Sequence, residues 1–572
     1  MSFMNKFAPA RAIAVLCAVL GLMITAAAQT ARPDFNRSQT YDVQHYTLRV
    51  KFDRPAKRVI GDATVTLKPL KSPMSQVTLD SAGIAYQSVR LSEGGSDLKY
   101  RLSGDKITVD LPRAYQPDET VAIRFNYSAI PKKGIYFIEP LIENGKETRS
   151  AQIWTQGEAE EARHWFPSYD HPSDKATSEQ YITANSGETV VANGELIDTE
   201  KNSDGTATYH YRMPVPHSTY LLSFVIGKYS LVKDQFGDVP LGYYVYPGKE
   251  SIVPSAFSRT KDILRTYEEL TGVKYPYNKY DQTIVSGFTF GGMENITATT
   301  LADTEVFLAT YEFAKSAVED LVAHEAAHSW FGNLVTCRNW AELWLNEGFA
   351  TFMEAAFREK AYGRPNYLLK IQNDATIFMA DDAVNTKRNG LFNENARDAD
   401  RLFDRPATTY NKGGVVIHML REELGDEAFW KAVNNYLNAH KFGSVESSDL
   451  KNAMETASGR DLDWFFDQWV YGTSHPKLSV QHTYSPQTKT YRIVINQTQK
   501  PDRLTPVAFR LPVEIEFKSG ATARSEKVEI TKRSETFTFI ADTEPTELRF
   551  DPRQKIPLKS IKMMEAAKAA AK

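Results

Sequence analysis

Cysteine is nearly missing: the 572 residues contain two, Cys17 and Cys337. Cys17 falls in a stretch with the marks of a removable leader, so a processed chain keeps one thiol, and one thiol cannot close an intramolecular disulfide. Covalent staples are thereby excluded, and stability has to come from the size of the core. An excess of one charge is missing too. The 68 Lys and Arg nearly balance the 71 Asp and Glu, for a formal net charge of −3. That leaves no basic footprint for nucleic acid and directs attention to a small-molecule or peptide site. No internal repeat is visible, and long apolar runs are absent except at the extreme N-terminus.

In that run, Lys6 and Arg11 precede an uncharged stretch from Ala12 to Ala28, which ends in Ala26-Ala27-Ala28 before Gln29. A charged start, an apolar middle and a small-residue end describe a secretory leader, with cleavage expected after Ala28 and a secreted or periplasmic product. The alternative is an uncleaved N-terminal anchor, because about 17 apolar residues is the lower limit for spanning a bilayer. Cys17 follows Leu16 instead of a small residue, which argues against lipid modification. After cleavage no stable membrane association is expected.

At roughly 150 residues per domain, the length predicts three or four domains. From Tyr41 to about Val232 apolar residues alternate: Tyr46, Leu48, Val50 and Phe52 share one face, as do Ala63, Val65 and Leu67, and Val121, Ile123, Phe125 and Tyr127. Period two predicts antiparallel strands with one buried face. After Pro254 the spacing becomes helical, with Phe257, Ile263, Leu264, Tyr267 and Leu270, and it stays so to Trp469. One helix is expected from Ser448 to a stop at Gly459. Alternation returns with Leu478 and Val480, then Tyr491, Ile493 and Ile495, then Val513, Ile515 and Phe517. The expectation is a multidomain α+β chain: leader 1–28, N-terminal β domain 29–235, mostly helical domain 236–474, β domain 475–556, and a frayed or helical tail 557–572.

The chemistry is concentrated in His324-Glu325-Ala326-Ala327-His328. Four-residue spacing puts both imidazoles on one face of a helix, a turn apart, where they can share one zinc ion. Glu325 points about 100° away round the helix, beside the metal but off the ligand row, where it can act as a base on a metal-activated water. A core helix can carry such a pair by coincidence, so the surroundings matter. Gly332 is read as closing this helix, and a second helical pattern runs from Trp344 to Tyr362 and ends at Gly363. It carries Glu347, 19 positions after His328. Two His and one Glu leave the fourth tetrahedral position open, as a catalytic zinc requires and a structural one does not.

These residues resemble the aminopeptidase N family of zinc peptidases, which includes the leukotriene-hydrolase aminopeptidases. The likeness rests on His324-Glu325-x-x-His328, eighteen intervening residues and Glu347, and on Gly291-Gly292-Met293-Glu294-Asn295, similar to the family's G-x-M-E-N motif. It extends to Gln156-Gly157-Glu158, Ala162-Arg163, Phe166-Pro167, Ser218-Thr219-Tyr220-Leu221 and Tyr410-Asn411-Lys412-Gly413, in the family's order. The resemblance implies an N-terminal β-saddle domain, a thermolysin-like catalytic domain and a C-terminal β-sandwich. It implies one Zn2+ per chain held by His324, His328 and Glu347, with Glu325 as general base and Tyr410 stabilising the oxyanion. Glu158 and Glu294 would bind the α-ammonium of a peptide with a free N-terminus. Gly291 and Gly292 would let an extended substrate approach the backbone, and Met293, with residues near Gln156, would line the pocket for the first side chain.

Larger family members carry a C-terminal helical-repeat domain that closes over the site. No such domain is expected here, which implies a more open site. Two rival readings are a binding scaffold that has lost its chemistry and an endopeptidase. The complete set of ligands, base, anchor and tyrosine argues against the first, and Glu294 against the second. Oligomeric state and the preferred first residue are not legible.

Overall fold

The computed structural model describes residues 32–564. Two compact units divide the chain, Met1–Phe35 and Asn36–Lys572. Of the first, only residues 32–35 are described, without regular structure. The leader and its expected cleavage point after Ala28 lie outside the described residues, as does the tail from 565 onward. Among the described residues no helix is long and apolar enough to cross a membrane. All regular structure among the described residues belongs to the second unit.

The N-terminal part of this unit is built on a seven-stranded sheet. The strands are β1 (Tyr41–Asp53), β2 (Arg58–Pro69), β3 (Ile84–Leu91), β4 (Val121–Ala129), β5 (Ala176–Asn185), β6 (Glu195–Lys201) and β7 (Thr206–His217), in the order β6-β7-β5-β1-β2-β4-β3. The alternating residues read from the sequence form the buried face: Tyr46, Leu48, Val50, Ala63, Val65, Leu67, Ile123 and Phe125 all lie in one core. One pair departs from the antiparallel expectation, since β1 and β5 run parallel. They are far apart in the chain, and a long connection allows the parallel pairing that a hairpin forbids. A four-stranded sheet joins Thr189–Ala192, Phe224–Gly227, Gln152–Thr155 and Ile135–Ile138. Its strand Gln152–Thr155 is wholly buried and delivers the chain directly into Gln156-Gly157-Glu158.

The next part opens with a sheet, not a helix. Strands β8 (Ser230–Phe236), β9 (Val239–Val245), β10 (Tyr280–Val285), β11 (Gly292–Met293) and β12 (Ala298–Ala302) are ordered β8-β9-β10-β12-β11. The boundary expected at 235/236 falls at the tip of the β8-β9 hairpin. Alternation alone cannot tell which sheet a strand joins. The parallel pairs β9-β10 and β10-β12 went unread for a related reason. All residues of β10 and β12 are buried, and a strand covered on both faces has no period to detect.

The longer helices of this part are α1 (Thr260–Thr271), α2 (Lys315–Ala327), α3 (Trp344–Tyr362), α4 (Arg364–Val384), α5 (Gly413–Leu424), α6 (Asp426–His440) and α7 (Ser447–Ser458), with α1 and α2 against the sheet and α3 packed on α2, α4 and α5. α7 begins with a reciprocal Glu446/Asp449 capping box and stops at Gly459 in the left-handed region, as expected. α2 ends a turn earlier than its sequence suggests. His328 is its C-cap, and Gly332, at φ 128°, instead donates its N–H to Val335 in the turn beyond.

The C-terminal strands form two sheets. β13 (Lys477–Ser485), β14 (Thr490–Gln497), β15 (Leu511–Ser519), β16 (Thr522–Ile530), β17 (Ser534–Ile540), β18 (Glu547–Phe550) and β19 (Ser560–Met563) are ordered β17-β14-β13-β19 and β16-β15-β18. The stretch from 557, expected as tail, includes β19, which pairs in parallel with β13. Its side chains are exposed, so no alternation marks it.

Candidate metal centre and active site

α2 brings His324 and Glu325 to a cavity of about 330 Å³, and the helical geometry continued by His328 adds the second imidazole. The two rings lie 4.8 Å apart at 76°. α3 enters from the other side with Glu347 in its first turn. Glu347 Oε2 stands 3.2 Å from His324 Nε2 and 3.4 Å from His328 Nε2. One donor atom from each of the three residues falls within 4.8 Å of the others.

The opposite ring nitrogens are already engaged. His324 Nδ1 is 2.7 Å from Glu354 Oε1, and His328 Nδ1 is 2.8 Å from the Phe331 carbonyl oxygen. This division of labour is what metal-binding histidines show: one nitrogen fixed by a carboxylate or carbonyl, the other free to coordinate. The donor set therefore fits zinc. Burial opposes charge on His324, but its bonds to Glu347 and Glu354 override this and raise it to about 9. Burial likewise works against ionised Glu347, yet His328 and His324 hold it down to about 2. A metal cation entering here would take the place of the protons these imidazoles hold, with the ionised Glu347 between them as its third ligand.

Glu325 projects to the side of this triad. Burial pushes its carboxyl up to about 8, and its Oε2 is buried without a hydrogen-bond partner. The other oxygen lies against the backbone of β11. A Cβ built on Gly292 would come within 2.0 Å of Glu325 Oε1. A side chain at Gly292 would thus displace the carboxylate it faces, a consequence not visible in the sequence. Gly291 has φ 82° and turns the chain so that its carbonyl accepts from Ala302.

Glu158 and Glu294 occupy the same cavity from two different parts of the fold, the end of strand Gln152–Thr155 and the end of β11. Both are buried, and each has an Oε1 with no hydrogen-bond partner. Burial and the proximity of Glu294 drive the Glu158 carboxyl well above the usual carboxylate range, and burial raises Glu294 as well. Glu294 Oε1 has His328 Nδ1 at 3.9 Å, but neither Oε1 accepts a hydrogen bond; buried oxygens left so are costly, and a cationic ligand would satisfy them. Gln156 donates to Met293 Sδ at 3.2 Å, which joins these two lining residues into one wall.

Tyr410 lies in a π-helical turn, Thr408–Lys412, that leads into α5. Its ring is 5.9 Å from that of His324 and nearly parallel to it. Burial, with Glu347 nearby, raises the phenol well above its usual value, so the hydroxyl keeps its proton and remains a donor. α5 can come close to α3 because glycines meet there: a Cβ on Gly413 would be 2.8 Å from the Gly348 Cα. All ten residues singled out from the sequence thus stand at or beside one cavity. Its other lining residues include Asp320, Thr351, Glu354, Lys370 and Asn411. Several of these carried a signal: Asp320 lies four residues before His324 on α2, Thr351 and Glu354 lie four and seven after Glu347 on α3, and Asn411 directly follows Tyr410.

Two family descriptions match the chain: the peptidase M1 N-terminal domain over residues 42–221 and the peptidase family M1 domain over 255–469. Probable aminopeptidase 2 of Sulfurisphaera tokodaii is 30% identical over 410 residues, 71% of this chain and 51% of that one. Aminopeptidase N of Streptomyces lividans is 32% identical over 344 residues, 58% of this chain and 39% of its own. The alanine/arginine aminopeptidase of Saccharomyces cerevisiae is 31% identical over 343 residues, 59% of this chain and 40% of its own. The chain spans about half the length, or less, of these relatives. With both M1 regions matched in order around this cavity, the chain belongs to the aminopeptidase N family of zinc metallopeptidases.

Proposed function

We propose that the protein is a zinc-dependent aminopeptidase that hydrolyses the first peptide bond of peptides with a free N-terminus. The observation that carries this reading is the pairing, in one cavity, of a His324–His328–Glu347 donor set with the buried carboxyls of Glu158 and Glu294, each with an Oε1 that accepts no hydrogen bond. A zinc site alone serves any hydrolase. Two further buried acids, with oxygens within 4.8 Å of Glu347, add recognition of a cation, and a peptide's α-ammonium, with a pKa near 8, is the cation every unblocked chain start offers.

His324, His328 and Glu347 would hold the zinc, which when bound polarises the scissile carbonyl and makes a water nucleophilic at neutral pH. Glu158 and Glu294 give up any protons they hold, take the ammonium and so set the first carbonyl in place. Glu325, kept ionised despite its burial by the positive charge of a bound zinc, takes a proton on its free Oε2 as the water attacks, then delivers it to the leaving nitrogen. The Tyr410 hydroxyl donates to the oxygen that gains negative charge. Gln156 and Met293 line the space next to the ammonium site and contact the first side chain. The outer strands we read as a saddle and a sandwich flanking a thermolysin-like core, and the leader as directing export.

A release-rate panel on aminoacyl reporter substrates tests the reading. We expect turnover that a chelator abolishes and zinc restores, and none on N-acetylated substrates. Undiminished cleavage of the blocked substrates, or pure protein that binds no divalent metal, would defeat it.

A further inference from the structure

The cavity lining contains six carboxylates, Glu158, Glu294, Asp320, Glu325, Glu347 and Glu354, and a single Lys or Arg, which is Lys370. Its position is unusual. Lys370 sits on α4, buried, with Nζ 2.9 Å from Glu354 Oε2 and donating to both oxygens of Asp374 at 2.7 and 3.0 Å. The far oxygen of Glu354 is 2.7 Å from His324 Nδ1. Asp374 accepts from Asn411 Nδ2 at 2.8 Å, and Asn411 directly follows Tyr410, whose ring lies along that of His324.

The contacts close a ring: His324, Glu354, Lys370, Asp374, Asn411, Tyr410 and back to His324. It draws on four elements, α2, α3, α4 and the π-helical turn, and Lys370 is where the two halves join. We propose that Lys370 is a positioning residue for the reaction, holding Glu354 against His324 and Asp374 against the Tyr410 segment, so that a metal ligand and the oxyanion donor are set in register by one ammonium group.

The alternatives differ in what they predict. A merely structural lysine would contribute to stability and leave the chemistry alone. A lysine that contacts substrate would act on binding. A positioning lysine acts through the orientation of His324 and Tyr410. Its loss should therefore weaken zinc and slow turnover while leaving the ammonium site, which is built from β11 and the Gln152–Thr155 strand end, as it was. Outer partners of metal ligands are worth about 10–100-fold in metal affinity or activity.

The proposal rests on the aminopeptidase reading, and the test separates the two. In the full chain, Lys370→Met, Lys370→Arg and Lys370→Gln are compared with wild type for zinc affinity by chelator competition, for kcat and KM on a zinc-saturated aminoacyl reporter, and for melting temperature. We expect Lys370→Met to bind zinc about tenfold more weakly and to lose about tenfold or more in kcat, with KM within about twofold. Lys370→Arg, which keeps the charge, should recover the greater part of both. Wild-type zinc affinity and kcat in Lys370→Met with only a lowered melting temperature would overturn the proposal, as would a rise in KM alone. Should Lys370→Met fail to fold, the comparison passes to the other pair: Arg near wild type with Gln impaired supports the ring, and equal impairment of the two overturns it. If the wild type binds zinc but cleaves no free-amine substrate, the aminopeptidase reading fails, and zinc affinity across the variants still decides the role of Lys370.

Discussion

Replacing Glu158 by Gln should lower activity and raise stability together, and both effects follow from its environment. The carboxyl is buried, its Oε1 has no hydrogen-bond partner, and the acidic Glu294, Glu347 and Glu325 around it outweigh the opposing His328. With an ammonium bound, it makes a charge-assisted hydrogen bond, worth about 1.5–3 kcal/mol. Removing the charge should then cut kcat/KM about 10- to 150-fold, at 1.36 kcal/mol per tenfold. Without a ligand the sign reverses. Burial raises this carboxyl well above its unfolded value of about 4.3, so between the two pKa values the folded chain binds the extra proton. Stability contributed by this group therefore falls as pH rises through that window, by up to about 1.4 kcal/mol per pH unit. Gln has no proton to lose and escapes that slope. Metal-free Glu158→Gln should match wild type in melting temperature near pH 4 and exceed it increasingly toward neutral pH, the exchange of function for stability seen where sites carry strain. Reporter kinetics on free and acetylated substrates, with melting curves at several pH values, measure both. An unchanged kcat/KM, or a variant that melts below wild type at pH 7, would refute the argument.

Two further outcomes are expected. Glu325→Gln should retain zinc by metal analysis but lose about 10²–10⁴ in kcat, the range of general acid–base contributions; retained turnover with the metal in place would assign the base elsewhere. Gly292→Ala should fold, yet lose at least tenfold in kcat, roughly 1.4 kcal/mol of barrier, because the new methyl would stand 2.0 Å from Glu325 Oε1 and displace the carboxylate. Activity equal to wild type in that variant would show that Glu325 has room to move without consequence.

Much of the fold was legible in the residues. Alternation in Tyr46, Leu48 and Val50, and again in Tyr491, Ile493 and Ile495, foretold faces that are in fact buried, because a strand with one covered side must repeat every two residues. The ends of α3 at Gly363 and α7 at Gly459 were readable because a glycine in positive φ stops a helix locally. Gly332 misled for the converse reason: its positive φ serves the turn after α2, and nothing local distinguishes that use. β10 and β12 were missed because burial on both faces erases the period, and β19 because exposure does the same.

By itself, the sequence determined what depends on near neighbours: two imidazoles a turn apart, Glu325 off their row, strands and helices with their stops, and the motifs that mark the family. Only the tertiary structure decided what depends on segments distant in the chain. It sets Glu347 against both imidazoles, places Glu158 and Glu294 in one cavity across 136 residues, presses Gly292 onto Glu325, and ties Lys370 between Glu354 and Asp374. The reason is physical. Helical and strand periodicity act over a few residues, whereas a cavity's electrostatics sums over whatever burial brings together, and that sum exists only once the chain has folded.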